Sequence, residues 1–227
     1  MINYIPDNIL CRIQKGDFLC IGDNHFGHQK CFTKFEPIRS ELEEDFDTFE
    51  MKMVELWNNK VSKDDIVIHV GDFCINKMVD DKTLENIYKF TTKLNGFKIL
   101  IKGNHDKQDN EVYLDAGWDI VINKPLNTLV TPHIEMKNNY SYTGSIIVNI
   151  NGIKTMITHM PCLNDYKDKY TKPKDELKKI FNDNKCIHLI HGHSHSKTQN
   201  EQFIFNASVE NINFTPVSYI DIYETIK

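Results

Sequence analysis

The chain has 227 residues, of which 40% are hydrophobic and 26% charged, and its formal net charge at neutral pH is −5. This length fits one α/β domain, and the apolar fraction is high enough for a packed core, so the composition excludes a disordered chain. Lysines are scattered among acidic residues, whereas proteins that wrap nucleic acid carry a basic stripe, so extended binding to DNA or RNA is not expected.

Neither the apolar runs nor the cysteines point to export or membrane insertion. No apolar run approaches the length of a membrane span, and the first ten residues lack the pattern of a signal peptide. The six cysteines form no Cys-x-x-Cys pair and are expected to be reduced thiols. These features predict a cytoplasmic protein that does not bind a membrane.

The first half of the chain alternates between apolar strands and amphipathic helices. Strands are predicted at residues 17–23, 65–72 and 97–106, and helices at residues 40–60 and 83–94. Ser40 and Glu43 predict a capping box at the start of the first helix. Its apolar face is predicted from residues at helical spacing, which are Leu42, Phe46, Phe49, Met53 and Trp57. The alternation is typical of parallel βαβ units.

The second half contains mostly short β-like runs. Several lie between residues 117 and 158, where Asn151 and Gly152 form a strong hairpin-turn signal. A helix is predicted at about residues 173–182, and strands at residues 186–193, 202–209 and 218–224. No linker or internal repeat divides the sequence, so residues 1–227 are predicted to form a single domain with two packed sheets.

Polar clusters follow five of the predicted strands, and ligands of open α/β sheets bind beyond the carboxyl ends of the strands. One cluster alone is more often ordinary turn chemistry, but five in order predict a shared site. Aspartate, asparagine and histidine suit manganese, iron, nickel or zinc. The clusters are Asp23-Asn24-His25, Gly71-Asp72, Gly103-Asn104-His105-Asp106, Thr158-His159 and Gly192-His193-Ser194-His195.

Two adjacent ions would give this site a definite chemistry. The carboxylate of Asp72 is expected to bridge them, because each oxygen can take one ion. Such a pair clamps a phosphoryl group and generates a nucleophile at neutral pH. Two adjacent ions held in this way would suit phosphoryl displacement.

The ordered set of clusters resembles the motifs of the calcineurin-like metallophosphoesterase superfamily, and the resemblance runs from Asp23 to His195. It implies an α/β fold, a two-sheet αββα sandwich of mixed sheets flanked by helices. It also implies that Asp23, His25 and His195 hold one ion, that Asn104, His159 and His193 hold the other, and that Asp72 bridges the two. His105 would stabilise the transition state or protonate the leaving oxygen, and Asp106 would orient the His105 imidazole.

Two features of the motifs are less usual. The family's second motif often has Asp or Asn three residues after the bridging aspartate, where this chain has Ile75 followed by Asn76. The first motif continues as His25-Phe26-Gly27-His28, which resembles a compact subgroup. His28 could contact a substrate phosphate or could only fix its loop, and both readings stand. His69, His188 and His191 are expected to be structural.

The sequence thus predicts a metal-dependent phosphoesterase with two divalent ions, manganese favoured, and a hydroxide shared by them as nucleophile. The expected substrate is a small phosphodiester or phosphomonoester such as a nucleotide. One alternative is a DNA or RNA nuclease of the same superfamily, although the acidic charge and small size count against it. A second is a non-catalytic metal-binding scaffold, although such proteins tend to lose a ligand or the catalytic histidine. The oligomeric state is not predicted.

Overall fold

The fold is known from a computed structural model that describes residues 4–75, 81–129, 133–137 and 140–227. Within these residues the helices are α1 (Asp7–Gln14), α2 (Ile38–Leu42), α3 (Phe46–Lys60), α4 (Asp81–Thr91), α5 (Asn110–Asp115), α6 (Thr171–Asp183) and α7 (Tyr219–Ile226). The strands are β1 (Leu19–Ile21), β2 (Ile66–His69), β3 (Phe97–Ile101), β4 (Ile120–Ile122), β5 (Pro125–Asn127), β6 (Ile134–Glu135), β7 (Ser145–Ile150), β8 (Ile153–Thr158), β9 (His188–His191), β10 (Ile204–Asn206) and β11 (Val217–Ser218).

The strands form two mixed sheets. The first has the order β11-β1-β2-β3-β4, with β1 to β4 parallel and β11 antiparallel to β1. The second has the order β10-β9-β8-β7-β5-β6 and combines parallel with antiparallel pairs. The expected two-sheet sandwich is confirmed.

Alternation along the strands explains why the two sheets pack face to face. Ile66 and Ile68 of β2 belong to the core cluster between the sheets, whereas Val67 belongs to the cluster that α3 and α4 cover. On β7 of the second sheet, Ile146 faces the shared core and Ile147 packs in the cluster that includes α6. Successive side chains of a strand point to opposite faces, so each sheet is apolar on both sides and is covered on both.

The predicted hairpin between β7 and β8 is present. Asn151 and Gly152 both have positive φ, 50° and 91°, as a type I′ turn requires. Six residue pairs join β7 and β8, and Thr158 at the carboxyl end of β8 lies opposite Ser145. The turn therefore sets the register that delivers Thr158 and the following His159 to the site.

Two of the predicted elements are wrong in detail. The helix predicted over residues 40–60 is two helices, because Asp45 accepts the Thr48 N–H at 3.0 Å and starts α3. The Ser40 hydroxyl donates to the Pro37 carbonyl at 2.7 Å, so the expected capping box does not form. The strand predicted at residues 218–224 is mostly α7, which Ser218 caps by accepting the Asp221 N–H. Residues 130–132 of the β-like runs and Asn76 lie outside the described part of the chain.

Candidate metal centre

The predicted ligands meet at the carboxyl ends of the strands of both sheets. Asp23 and His25 follow β1, Asp72 follows β2, and Asn104 follows β3. From the second sheet, His159 follows β8, and His193 and His195 follow β9. Convergence of five strand ends explains how residues distant in the sequence assemble one cluster.

The backbone at these strand ends takes an uncommon conformation. Positive φ values occur at five of the seven expected ligands, which are Asp23, His25, Asp72, His193 and His195. A non-glycine residue in this region costs free energy, and such residues concentrate at functional sites. The left-handed conformation thus recurs where the expected ligands follow their strands.

Close backbone approach requires glycine beside the cluster. A Cβ atom at Gly103 would lie 2.3 Å from Oδ1 of Asp72 and 2.8 Å from Cε1 of His159. Neither side chain could move aside without leaving the site, so the Gly-Asn-His-Asp motif needs its glycine for space.

Asp23, His25 and His195 form one group, which we name the Asp23 half-site. The Nε2 atoms of His25 and His195 lie 3.2 Å apart. Oδ1 of Asp23 is 3.9 Å from each of these nitrogens, and it is buried without a hydrogen-bond partner. Three ligand atoms thus face one point where a cation would satisfy all of them.

Asn104, His159 and His193 form a second group, which we name the Asn104 half-site. Nε2 of His159 lies 3.2 Å from Oδ1 of Asn104 and 3.2 Å from Nδ1 of His193. Oδ2 of Asp72 is 3.5 Å from Nε2 of His159 and also 3.5 Å from Nε2 of His25. One oxygen of Asp72 therefore faces both half-sites, rather than one oxygen facing each as the sequence suggested.

The outer nitrogens of three imidazoles already serve as donors. Nδ1 of His159 lies 2.9 Å from the Val70 carbonyl, Nδ1 of His195 lies 3.1 Å from Glu210, and Nε2 of His193 lies 2.8 Å from Asp168. Each contact orients its ring so that the other nitrogen points into the cluster. These donors fit divalent metal ions, which take neutral imidazole, amide and carboxylate ligands.

Burial lowers the proton affinity of two of the ligand imidazoles, which is the direction that metal binding needs. It holds the pKa of His25 well below its ordinary value and lowers the pKa of His159 to about 3. Protons therefore do not compete for these nitrogens at neutral pH. Burial also raises the pKa of Asp23, because an ionised carboxylate without a counter-charge is costly in the interior.

His105 and Asp106 do not form the contact predicted for them. The Asp106 carboxylate accepts the backbone N–H groups of Asp72, Phe73 and Gly103 at 2.7, 3.1 and 2.9 Å. Nδ1 of His105 is buried without a hydrogen-bond partner. With both of its oxygens directed at main-chain amides, Asp106 ties the ends of β2 and β3 together instead of orienting the imidazole.

The His105 side chain lies at the wall of a cleft beside the ligands. Its ring centroid is 5.0 Å from that of His25 and 6.1 Å from that of His28. A ligand nitrogen of His105 also comes within 4.8 Å of donor atoms of His25 and Asp72. His105 therefore lies next to the Asp23 half-site, while its predicted action on a substrate stays a prediction.

The cleft has a volume of about 430 Å³ and extends outward from the cluster. His28 lines it, and the His28 ring meets the ring of Phe35 edge-on at 6.0 Å between centroids. Half of the Phe35 surface is exposed, and Lys30 and Lys197 also line the cleft. His28 therefore lies beside the path to the ligands, while either of its predicted roles stays a prediction.

The remaining histidines expected to be structural are buried away from this cleft. His69 bonds to Asn24 Oδ1 through Nε2 at 2.8 Å and accepts the Gly71 N–H at 3.0 Å. His191 lies in β9 with no exposed surface, and His188 stacks on Phe203.

Three charged residues at the centre were not predicted from the sequence. Arg39 and Glu210 form a buried ion pair at 2.6 Å, and Glu210 accepts from His195. Asp168 accepts from His193 on the other side of the cluster. A partial signal exists for Arg39, which is one of only two arginines in a lysine-rich chain.

Residues 16–197 match the family described as calcineurin-like phosphoesterase, a span that includes all seven expected ligands. The chain belongs to the calcineurin-like phosphoesterase family. This membership supports metal-dependent hydrolysis of phosphate esters as the class of reaction, and the clustered histidines and aspartates could hold the metal. In the part of the chain that the structure describes, no helix is long and apolar enough to cross a membrane.

Three further proteins are similar to this chain, and none of them establishes its substrate. The uncharacterized protein MJ1445 of Methanocaldococcus jannaschii is 27% identical over 205 residues, which cover 87% of this chain and 84% of that protein. A crystal structure of the protein of unknown function AQ665 from Aquifex aeolicus aligns with a TM-score of 0.60 at 22% identity, covering 91% and 97% of the two chains. The nuclease MPE of Pseudomonas putida aligns with a TM-score of 0.35 at 14% identity, covering 83% and 65%.

Proposed function

We propose that this phosphoesterase hydrolyses a small phosphate ester, a diester or monoester such as a nucleotide, with two divalent metal ions held in the two half-sites. The observation that carries the proposal is the position of Oδ2 of Asp72, 3.5 Å from a histidine nitrogen of each half-site. A carboxylate shared in this way suits two neighbouring cations. Manganese is the favoured metal among manganese, iron, nickel and zinc.

Each ligand has a defined task in this proposal. Asp23, His25 and His195 would hold one ion, and Asn104, His159 and His193 the other, with Asp72 between them. Such a pair of ions supplies Lewis acidity toward a phosphoryl oxygen and lowers the pKa of water to near neutrality. The buried imidazoles of His25 and His159 would contribute ligands without a competing proton, because burial lowers the pKa of both.

The substrate would approach through the cleft. His105 lines the cleft beside the Asp23 half-site. Its imidazole would donate a proton to the leaving ester oxygen or stabilise charge on the phosphoryl oxygens. The hydrogen bond from the His105 backbone N–H to Oδ1 of Asp72 fixes the backbone at His105 relative to the expected ligands. The open cleft suits a small ester group, and the exposed face of Phe35 offers that group an apolar contact.

The deciding experiment is a screen of phosphomonoesters and phosphodiesters, including cyclic nucleotides, with each of the four metals. Release of alcohol or phosphate should require added metal and should be absent from Asp72→Asn. Cleavage of DNA with a steep dependence on salt would instead favour the nuclease. Two bound ions without turnover of any ester would favour the scaffold and refute the proposal.

A further inference from the structure

A buried carboxylate in the cleft has no task in the proposed metal centre. Glu36 lines the cleft beside Phe35, and only 1% of its surface is exposed. Its Oε2 accepts the Ser196 hydroxyl at 2.7 Å, whereas its Oε1 is buried without a hydrogen-bond partner. An unpaired buried oxygen costs free energy, so a donor supplied by a molecule in the cleft would stabilise it.

The backbone fixes Glu36 at this position. Residues Cys31–Phe35 form a π-helical turn, and the Glu36 N–H closes it by donating to the Cys31 carbonyl at 3.0 Å. The Glu36 carbonyl in turn accepts the Arg39 N–H at 3.0 Å. Single π-helical turns are frequent at functional sites. Because main chain and side chain are both held, Oε1 has a defined position before any ligand binds.

The chemistry of the cleft decides which donor fits Glu36. A carboxylate accepts hydrogen bonds and repels phosphate oxygens, so its partner belongs to the alcohol part of an ester rather than to the phosphate. Lys30 and Lys197 line the same cleft, and their charges disfavour a cation there. A neutral donor such as a hydroxyl group satisfies both conditions. Since Oε2 already accepts from Ser196, the oxygen that remains can take one such hydroxyl.

The order of groups along the cleft matches the order of groups in a nucleotide. Ser196 directly follows the expected ligand His195. The hydrogen bond from Ser196 therefore holds the Glu36 carboxylate close to the metal centre. Phe35 exposes half of its surface at the outer wall, and aromatic faces stack on any base. A phosphate at the metals would thus be followed by a sugar beside Glu36 and a base against Phe35.

We propose that Glu36 determines specificity for the sugar of the substrate, its Oε1 accepting a hydrogen bond from one ribose hydroxyl of a nucleoside 5′-phosphate ester. The substrate class is then an ester of a ribonucleoside 5′-phosphate, and deoxy analogues are poorer substrates. The reaction rests on the proposed function, but the contact with the sugar requires neither metal nor turnover.

Sugar analogues test the contact in the full-length protein loaded with manganese. For the adenosine 5′-ester that is hydrolysed, monoester or nitrophenyl diester, kcat/KM should exceed that of the 2′,3′-dideoxy analogue about 10-fold to 100-fold, as loss of a hydrogen bond to a charged group typically costs. One of the two monodeoxy analogues should account for nearly all of this loss, because one oxygen takes one hydroxyl. Equal kcat/KM for all four sugars, or a preference that follows the base instead, would overturn the proposal.

Glu36→Gln separates recognition of the sugar from support of the loop. The glutamine amide oxygen can still accept from Ser196, while its NH₂ group replaces the second acceptor with a donor. The ratio of kcat/KM between the ribose and dideoxy esters should fall toward one. Glu41→Gln, at an exposed position of α2, is the matched control and should keep the wild-type ratio. If Glu36 only held Ser196, Glu36→Gln would slow all sugars alike and leave the ratio unchanged.

Binding of the nucleoside itself gives a readout that needs no reaction. Titration calorimetry should show adenosine binding more tightly than 2′,3′-dideoxyadenosine to the wild type, and the two binding equally to Glu36→Gln. Equal binding of both nucleosides to the wild type, or binding of neither, would contradict the proposal. Failure of the proposed function would appear as no hydrolysis of any ester while this difference in binding persists. Hydrolysis of methyl or nitrophenyl esters without a ribose preference would overturn only the assignment of Glu36.

Discussion

The backbone N–H of His105 donates a 2.7 Å hydrogen bond to Oδ1 of Asp72. This contact occupies one oxygen of the only carboxylate that both half-sites share and leaves Oδ2 facing the two histidine clusters. The residue proposed to act on the substrate is thereby fixed to the residue proposed to join the ions. The Gly-Asn-His-Asp motif and the proposed metal ligands are therefore linked through a single carboxylate.

The first prediction concerns this shared carboxylate. Asp72→Asn removes its negative charge from both half-sites, so we expect metal content to fall from two ions toward none, with loss of activity. Elemental analysis after loading with excess manganese measures the effect. Asp165→Asn, at an exposed position, is the matched control and should keep both ions. An Asp72→Asn protein that retains two ions would show that Asp72 is not the bridge.

The second prediction separates chemistry from metal binding at His105. His105→Ala should keep both ions and lose about 10² to 10⁴ in rate, the typical contribution of a general acid. Metal content must be measured in the same preparation, because His105 comes within 4.8 Å of ligand atoms of His25 and Asp72.

The dependence of this rate loss on the leaving group distinguishes the two proposed roles of His105. A nitrophenyl ester needs little protonation of its leaving oxygen and should lose less rate than an alkyl or nucleoside ester. Equal losses for both esters would assign His105 to charge stabilisation on the phosphoryl oxygens. Loss of an ion would make His105 a ligand, and unchanged activity with every substrate would remove it from the mechanism.

The third prediction concerns the outer wall of the cleft. Phe35→Ala removes an exposed aromatic face, so kcat/KM for nucleoside esters should fall about tenfold, since base stacking contributes about 1–3 kcal/mol. Methyl esters of phosphate, which have no ring, should be affected less than about twofold. Phe35→Tyr keeps a ring and should retain activity with both. An equal loss for methyl and nucleoside esters would mean that Phe35 only supports the loop.

The sequence predicted that the proposed ligands would meet at one site, because each follows an apolar strand. The ends of β1, β2, β3, β8 and β9 can be placed from local hydrophobic patterns, and the carboxyl ends of neighbouring parallel strands meet at one edge. The proposed bridging role of Asp72 followed from the chemistry of a carboxylate with two oxygens. That one oxygen faces both half-sites could not be predicted, because it depends on the His105 N–H, which is 33 residues away.

The charged residues that contact the expected ligands could not be predicted from the sequence for a related reason. Arg39 and Glu210 are 171 residues apart, and an isolated charge in a sequence is usually a surface residue. Asp168 likewise appears in an ordinary polar loop. For Asp106, proximity to His105 in the sequence suggested contact, yet the turn directs its carboxylate to three main-chain amides.

The end of the chain shows how a local pattern can mislead. The segment Ser218 to Glu224 alternates in a way that suggested a strand, yet Tyr219, Ile222 and Ile226 recur at helical spacing and are all buried. The Ser218 cap and this apolar face favour the helix α7. Only packing against the core between the sheets decides between the two patterns.

The last prediction concerns the stability of the metal-free protein. It tests the buried hydrogen bonds of His69 with Asn24 and Gly71. His69 donates from Nε2 to Asn24 and accepts the Gly71 N–H at Nδ1, an arrangement that requires a neutral ring. Burial lowers the pKa of His69 to about 3, whereas an unfolded histidine has a pKa of about 6.5. The unfolded chain therefore binds the proton first as the pH falls.

Because the folded-state pKa is depressed, His69 contributes its full stabilisation above about pH 6.5 and loses it progressively as the pH falls toward about 3. We expect the free energy of unfolding of the chelated protein to drop more between pH 7 and pH 5 than that of His69→Gln, whose side chain does not titrate. Urea unfolding at both pH values measures the difference. The buried carboxylates are common to both proteins, so their contributions to the pH dependence cancel in the comparison. The same pH dependence in both proteins would mean that His69 is protonated in the folded state, and the hydrogen bond from Gly71 to Nδ1 would then be misassigned.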